Sequence, residues 1–282
     1  MFGRSKIDTK TTDQLLLMRR AGLVVGQTLQ LMAQTVRPGM TTKQLDELAE
    51  EHIRGCGATP SFLGYHGFTG SLCTSVNDEV VHGIPGSRVL AEGDLISIDC
   101  GAIVDGWHGD SAITVPVGEV AKPVLRMATV ADEAMWAGIA AAARGVRSGK
   151  GRLTDISAAI QSSIRKAGRY GIVEGYGGHG IGTEMHQDPF VLNYGRPGKG
   201  PALVPGLCLA IEPMLTLGRP KTVELDDGWT VVTADDSVAV HVEHTIALCE
   251  DGAWVLTAQD GGRARLGDLV AGAARAESTA RP

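Results

Sequence analysis

Residues 97–110, SIDCGAIVDGWHGD, constrain the fold of this chain more than any other stretch. Asp105-Gly106 is a two-residue hairpin signal, because both central positions of a type I′ turn need a positive φ. Ile96, Ile98, Cys100 and Ala102 alternate with Ser97, Asp99 and Gly101, so the first arm has one apolar and one polar face. A turn centred on Asp105-Gly106 sets Asp110 opposite Gly101, on the same face as Asp99. The two acids then become diagonal neighbours, with backbones about 7–8 Å apart. A solvated sheet face accounts for such a pair. So does a divalent cation, which would hold together two groups that otherwise repel. A slip of one residue would send the acids to opposite faces.

The 282 residues, 43% of them hydrophobic, supply a core for one large domain or two small ones. A net charge of −6 leaves no basic field for DNA or RNA, which excludes nucleic-acid binding as the main activity. The cysteines at 56, 73, 100, 208 and 249 form no CxxC pair. That spacing argues against a disulfide framework or a thiolate zinc site and for a reducing cytoplasm. The opening MFGRSKIDTKTTDQ has no apolar signal-peptide segment, and no apolar run reaches the ~18 residues of a membrane span.

Residues 1–11 read as a loose lead-in, 12–257 as a single domain, and 258–282 as a flexible tail of Gly, Ala, Arg and Asp. A helix is predicted from about Thr12 to Val36, ended by Arg37-Pro38-Gly39. Thr41 and Gln44 are a capping-box signature for a second helix, with Leu45, Leu48, Ala49 and Ile53 on one face and Gly55 at its end. The order then repeats: an Ala-rich helix over 120–144, a break at Arg147-Ser148-Gly149, and a helix capped by Thr154. EGDLISID (92–99) parallels PGLCLAIE (205–212), with an acid six residues after the Gly in both. Two duplicated halves are expected, with Asp99 and Glu212 in equivalent places. SVAVHVEHTIALCE (237–250) reads as one more alternating strand and carries Glu243.

Asp99, Asp110, Glu212 and Glu243 all sit in apolar strand contexts, where burial without a partner is costly. With His179 of GYGGHGIG they form a nitrogen–oxygen donor set for two divalent cations of the Mn, Fe, Co or Zn kind. Taken singly, Glu243 also reads as an ion-pair partner and His179 as a turn histidine. Few basic residues lie near these strands in sequence, which favours the joint metal set. His66, His108, His241 and His244 read as structural or supporting residues.

The motifs LGYHGF (63–68), NDEVVHGIP (77–85), IDCGAIVDGWHGD (98–110), GHGIGTEMHQDP (178–189), IEPM (211–214), DGWTV (227–231) and VEHT (242–245) closely resemble those of type I methionine aminopeptidases. The likeness runs from about Thr12 to Thr257. It implies an α+β pita-bread fold, with two pseudo-symmetric halves and central antiparallel sheet covered by helices. It implies that Asp99, Asp110, His179, Glu212 and Glu243 bind the two metals. It also implies that His82 and His186 contact substrate and that Tyr65, Phe68, Cys73 and Trp229 build a methionine pocket, with Phe62 and Met185 near it.

The implied reaction is hydrolysis of the first peptide bond of nascent polypeptides at the ribosome, by a cytoplasmic monomer preferring a small second residue. Glu212 would shuttle the proton, and His82 and His186 would stabilise the oxyanion. The chain departs from the family at Met185, where an aromatic is common, and at Thr183, where a basic residue is frequent. Two rivals stand beside this expectation: an X-Pro aminopeptidase or prolidase of the same fold, and a non-catalytic binding protein built on it.

Overall fold

The computed structural model describes residues 7–272, so the first six residues of the lead-in and the last ten of the tail lie outside the described residues. The first half opens with a helix pair, α1 (Thr12–Thr35) and α2 (Thr42–Gly55). Both begin with a reciprocal cap. The hydroxyls of Thr11 and Thr41 accept from the N–H of Gln14 and Gln44, whose side chains accept from the threonine N–H groups. The chain continues through β1 (Thr59–Pro60), β2 (Leu72–Val76), β3 (Glu79–Val81), β4 (Leu95–Val104) and β5 (Trp107–Pro116).

β4 and β5 form the expected hairpin. Asp105 and Gly106 have φ of 50° and 81°, and Gly101 pairs with Asp110. β1 and β2 pair with β4 on its other edge. Ile96, Ile98, Cys100 and Ala102 are fully buried with Val25, Leu29, Leu45 and Ile53 of the two helices. The helix lies close on the sheet at Gly109, where a Cβ would sit 2.7 Å from the backbone nitrogen of Gly22 in α1. Leu48 is partly exposed rather than part of the buried face of α2.

The second half repeats the plan. Helices α3 (Lys122–Ser148) and α4 (Leu153–Ala167) precede β6 (Gly171–Ile172), β7 (Gly178–Gly180), β8 (Gln187–Val191), β9 (Cys208–Ile211) and β10 (Met214–Thr216). Then come β11 (Thr222–Glu224), β12 (Val231–Thr233), β13 (Ala239–His241), β14 (His244–Cys249), β15 (Gly252–Val255) and the short α5 (Arg263–Leu266). β15-β14-β9-β7-β8 is an antiparallel sheet, and Ile139, Ile156 and Ile160 of α3 and α4 share its core with Leu209, Ile246 and Val255. Smaller antiparallel sheets, β13-β10-β6 and β11-β12-β3, complete the β structure.

α3 ends at Gly149 with φ of 64°, a left-handed terminus that glycine adopts without strain. The cap of α4 is not Thr154. The N–H of Arg152 donates to the Asp155 carboxylate, and the Thr154 hydroxyl instead bonds the backbone of Lys199.

The chain changes sheet at two places, and the second divides the 237–250 stretch that reads as one strand. The chain leaves one sheet after Ile211 and joins another at Met214, because Pro213 has no N–H to continue the ladder. It crosses again between His241 and His244. There Glu243 and Ala112 exchange backbone hydrogen bonds, so a strand of the second half is joined to β5 of the first. Thr245 reinforces this seam by accepting from the Asp110 N–H and donating to its carbonyl.

The segment expected to be flexible after residue 257 instead packs on the domain as far as it is described. Leu266, Val270 and Ala271 are buried, and the Ala271 N–H donates to Ala253. The guanidinium of Arg19, itself buried in α1, donates to the carbonyls of Val255, Leu256, Ala258 and Gln259. The end of the lead-in is held as well: the Lys10 N–H donates to Gly206, and its buried Nζ donates to Gln187.

Arg19→Ala strips a charged donor from a cluster of carbonyls beneath α1. The unfolding free energy is expected to fall by about 3 kcal/mol. Urea denaturation measures the loss, and limited proteolysis should nick the variant first after residue 257. An unchanged midpoint would mean that water replaces the guanidinium at no cost.

Candidate metal centre and its cavity

The five expected donors come from both halves of the fold. Asp99 sits in β4 between Cys73 and Ala112, and Asp110 sits in β5 opposite Gly101. His179 is the middle residue of β7, Glu212 follows the end of β9, and Glu243 lies at the crossing between β13 and β14. All five line one cavity of about 770 Å³. His179 Nε2 lies 3.9 Å from Asp110 Oδ2 and 3.6 Å from Glu212 Oε1. Donor atoms of Asp110, His179 and Glu243 lie within 4.8 Å of one another, and so do those of Glu212, His241 and Glu243.

His241, which reads from the sequence as a structural or supporting residue, lines the cavity beside Glu212 and Glu243. The available signal was its place two residues before Glu243, on the same face of an alternating stretch. Tyr176, Phe190 and Met214 also line the cavity without having been singled out.

The state of the carboxylates tests whether this group suits a cation. Asp99 Oδ1, Asp110 Oδ1, Glu243 Oε1 and His241 Nε2 are buried without a hydrogen-bond partner. Among the described residues no Lys or Arg forms an ion pair with these acids; their basic neighbours are histidines. The ion-pair alternative for Glu243 therefore fails. Burial pushes Asp99 up to about 6. Burial, with the neighbouring acids, pushes Asp110 and Glu243 well above the ordinary carboxylate range. Burial also works against ionised Glu212, but adjacent His241 and His179 outweigh it and hold that carboxyl below its usual value. Crowded, buried, unpartnered carboxylates next to imidazoles are what a divalent metal of the Mn, Fe, Co or Zn kind would satisfy.

His82 follows β3 with φ of 61°, a left-handed conformation unusual for a side chain of this size. The next residue explains its position. A Cβ on Gly83 would sit 2.3 Å from the Thr74 carbonyl oxygen, so the chain can press against β2 only as glycine. The His82 ring stands edge-on to Trp229 and Tyr176, and burial pushes its pKa down. His186 is exposed at the cavity, yet partial desolvation, with His179 beside it, pushes it down to about 4. Its Nδ1 lies 2.8 Å from the Tyr65 hydroxyl. Both histidines are therefore neutral at pH 7.

Phe62, Tyr65, Phe68, Cys73 and Trp229 line the same cavity, and Phe68 and Trp229 meet edge to face with ring centres 5.0 Å apart. Met185 does not line it. That side chain is buried behind the wall, where Met185 Cε and Phe62 Cε1 lie within 3.0 Å of the place a Cβ on Gly101 would occupy. Thr183 is exposed.

Residues 16–250 match the model of metallopeptidase family M24. The chain is 52% identical over 261 residues to methionine aminopeptidase 1 of Mycobacterium tuberculosis, covering 90% of this chain and 96% of that one. It belongs to the methionine aminopeptidases of family M24. Another relative of this kind, methionine aminopeptidase 1 of Bacillus subtilis, is 47% identical over 248 residues, covering 88% of this chain and 98% of that one. The crystal structure of methionine aminopeptidase from Rickettsia prowazekii superposes with a TM-score of 0.85 at 39% identity, covering 90% of this chain and all of that one. A prolidase from Pyrococcus furiosus shares the fold alone, with a TM-score of 0.67 at 19% identity, covering 89% of this chain and 65% of that one. Membership of M24 makes the chain a metal-dependent hydrolase, and the carboxylate–imidazole cluster is the candidate site for a divalent metal.

Proposed function

We propose that this chain removes the N-terminal methionine of nascent proteins and peptides, using two divalent ions held by Asp99, Asp110, His179, Glu212 and Glu243. The observation that carries this reading is a cluster of unpartnered buried carboxylates in one cavity with a wall of aromatic and sulfur-bearing side chains. When bound, the ions polarise the scissile carbonyl and acidify water.

The protein's own groups divide the remaining work. Phe62, Phe68, Cys73 and Trp229, with Tyr65, receive the methionine side chain. A polarisable, unbranched thioether suits aromatic and sulfur surfaces. Burial pushes the Cys73 thiol well up, so it stays protonated and serves as an apolar wall. The free α-amino group, with a pKa near 8, faces the carboxylate cluster and selects a chain terminus over an internal amide. Glu212, held ionised beside the two imidazoles, takes the proton released by attacking water and passes it to the leaving nitrogen. Neutral His82 and His186 donate N–H groups to the oxygen on which charge develops. In the tautomer whose Nδ1 accepts from the Tyr65 phenol, the Nε2–H of His186 is free for that role. The family resemblance extends the proposal to a preference for a small second residue and to a cytoplasmic monomer acting at the ribosome.

Cleavage of Met-Ala-Ser and Ala-Pro-Ala across Co, Mn, Fe and Zn tests the reading. Release of methionine from the first peptide and no alanine from the second is the expected result. The reverse would make the chain an X-Pro peptidase. Turnover of neither peptide with any metal would favour a binding protein.

A further inference from the structure

Asp110 and Glu243 meet at the seam between the two halves, and the segment after β15 reaches that seam with the hydroxyl of Thr257. This residue is buried, and its Oγ1 accepts from the Thr245 N–H and lies 2.8 Å from Nδ1 of His244. Ser111 Oγ stands 3.3 Å from the same Nδ1 and donates to the Glu243 carbonyl. Thr245 in turn holds both backbone groups of Asp110. We propose that Thr257 is a positioning residue for the catalytic centre, acting through His244, Ser111 and Thr245 on the backbone of Glu243 and Asp110. This rests on the metallopeptidase reading of the cavity and gives the segment after β15 a part in it.

Thr257 can serve in this way because its own backbone is clamped. Arg19 Nη1 lies 2.7 Å from the Leu256 carbonyl oxygen and 2.6 Å from that of Ala258, one on each side of Thr257. Helix α1 presses so close that a Cβ on Gly26 would sit 2.4 Å from the Thr257 carbonyl oxygen. The hydroxyl is therefore presented to His244 from a fixed support.

The His244 ring is braced a second time by the same segment. Trp136 of α3 meets it edge to face, with ring centres 5.2 Å apart. The Trp136 ring N–H donates to Asp132, and the Asp132 carboxylate pairs with Arg265 of α5 at 2.7 Å. The Arg265 guanidinium also lies over the Trp136 ring, 5.1 Å from its centre. Thr257, His244 and Ser111 do not line the cavity, so they can affect the reaction only through the carboxylates they place. Partners behind a metal ligand fix its orientation, and losing one typically costs about 10- to 100-fold in metal affinity or activity.

Two substitutions separate the hydroxyl from packing. Thr257→Val keeps the branched shape and removes the hydroxyl, whereas Thr257→Ser keeps the hydroxyl and removes a buried methyl. In chelator, amide hydrogen exchange at Asp110 and Glu243 should quicken about tenfold in the valine variant and stay within about twofold of wild type in the serine variant. Co(II) added to the metal-free protein should bind about 10-fold more weakly to Thr257→Val, and kcat on Met-Ala-Ser should fall by a similar factor with KM within about twofold. Thr257→Ser should match wild type in all of these while unfolding at lower urea, because it has lost packing. Ser111→Ala cuts the same link from the first half and should reproduce the valine result. It takes the place of Thr257→Val should that variant fail to fold, as judged by its urea midpoint.

Wild-type exchange and Co(II) affinity in Thr257→Val would make the hydroxyl dispensable and overturn the proposal. Equal losses in Thr257→Ser and Thr257→Val would trace the effect to packing and overturn it as well. If wild type itself takes up no Co(II), the metallopeptidase reading falls instead. The exchange comparison is made without metal, so the two failures are distinguishable.

Discussion

Glu243→Gln is expected to abolish turnover and, at the same time, to make the metal-free protein more stable. Glu243 is the one residue common to both donor groups. If the metals bind as proposed, neutralising it removes a donor common to both groups, and kcat/KM should fall at least about a thousandfold, or ~4 kcal/mol. The stability effect has the opposite sign. The side chain is buried, Oε1 has no partner, and burial together with Asp110, Glu212 and Asp99 pushes its pKa far up. A carboxyl whose folded pKa is raised binds its proton more tightly in the folded state, so it penalises folding increasingly as pH rises above the unfolded value.

The glutamine variant should therefore melt higher than wild type in chelator at pH 7, with the gap closing as pH falls toward 4. Its backbone exchange with Ala112 is untouched by the substitution. Calorimetry in chelator and a peptide assay with added metal check both halves. Near-normal turnover would refute the metal assignment. A lower melting temperature in chelator would mean that the acid is structurally satisfied after all.

The second large effect separates chemistry from metal binding. His82→Ala should lower kcat by about 10²–10⁴ while metal content stays at the wild-type level. His82 lines the cavity but belongs to neither donor group. Its φ of 61° is a backbone cost that alanine retains and glycine relieves. His82→Gly should therefore lose as much activity as His82→Ala while unfolding at higher urea. Metal analysis after gel filtration decides the matter, since loss of metal in either variant would make His82 a ligand. Equal stability of the two variants would remove the claim that the loop is strained.

Much of this site was legible in the chain because it is written in local rules. The Asp105-Gly106 turn sets the hairpin register, and that register sets which face Asp99 and Asp110 share. The capping boxes at Thr11 and Thr41 are likewise local. The apolar surroundings of Glu212 and Glu243 marked them as acids in need of a partner. The misjudged places all depend on contacts distant in sequence. The segment after residue 257 looked dispensable by composition, but Arg19, some 240 positions earlier, satisfies its carbonyls. Thr154 has the chemistry of a cap, but its hydroxyl is taken by the backbone of Lys199, 45 positions further on. Met185 lies one residue from a cavity histidine and still faces the core.

By itself the sequence determined the hairpin, the helix pairs and the two-half plan, and it singled out five acids and imidazoles that the fold gathers in one cavity. Turn geometry, capping and the cost of burying unpaired acids act within a few residues of one another. Only the tertiary structure decided that the strands break at Pro213 and again at Glu243, carrying the chain between sheets beside the cavity. Only it brought His241 within reach of Glu212 and Glu243. Alternation along a strand tells which side a residue faces. What waits on that side is set by packing between halves more than a hundred residues apart.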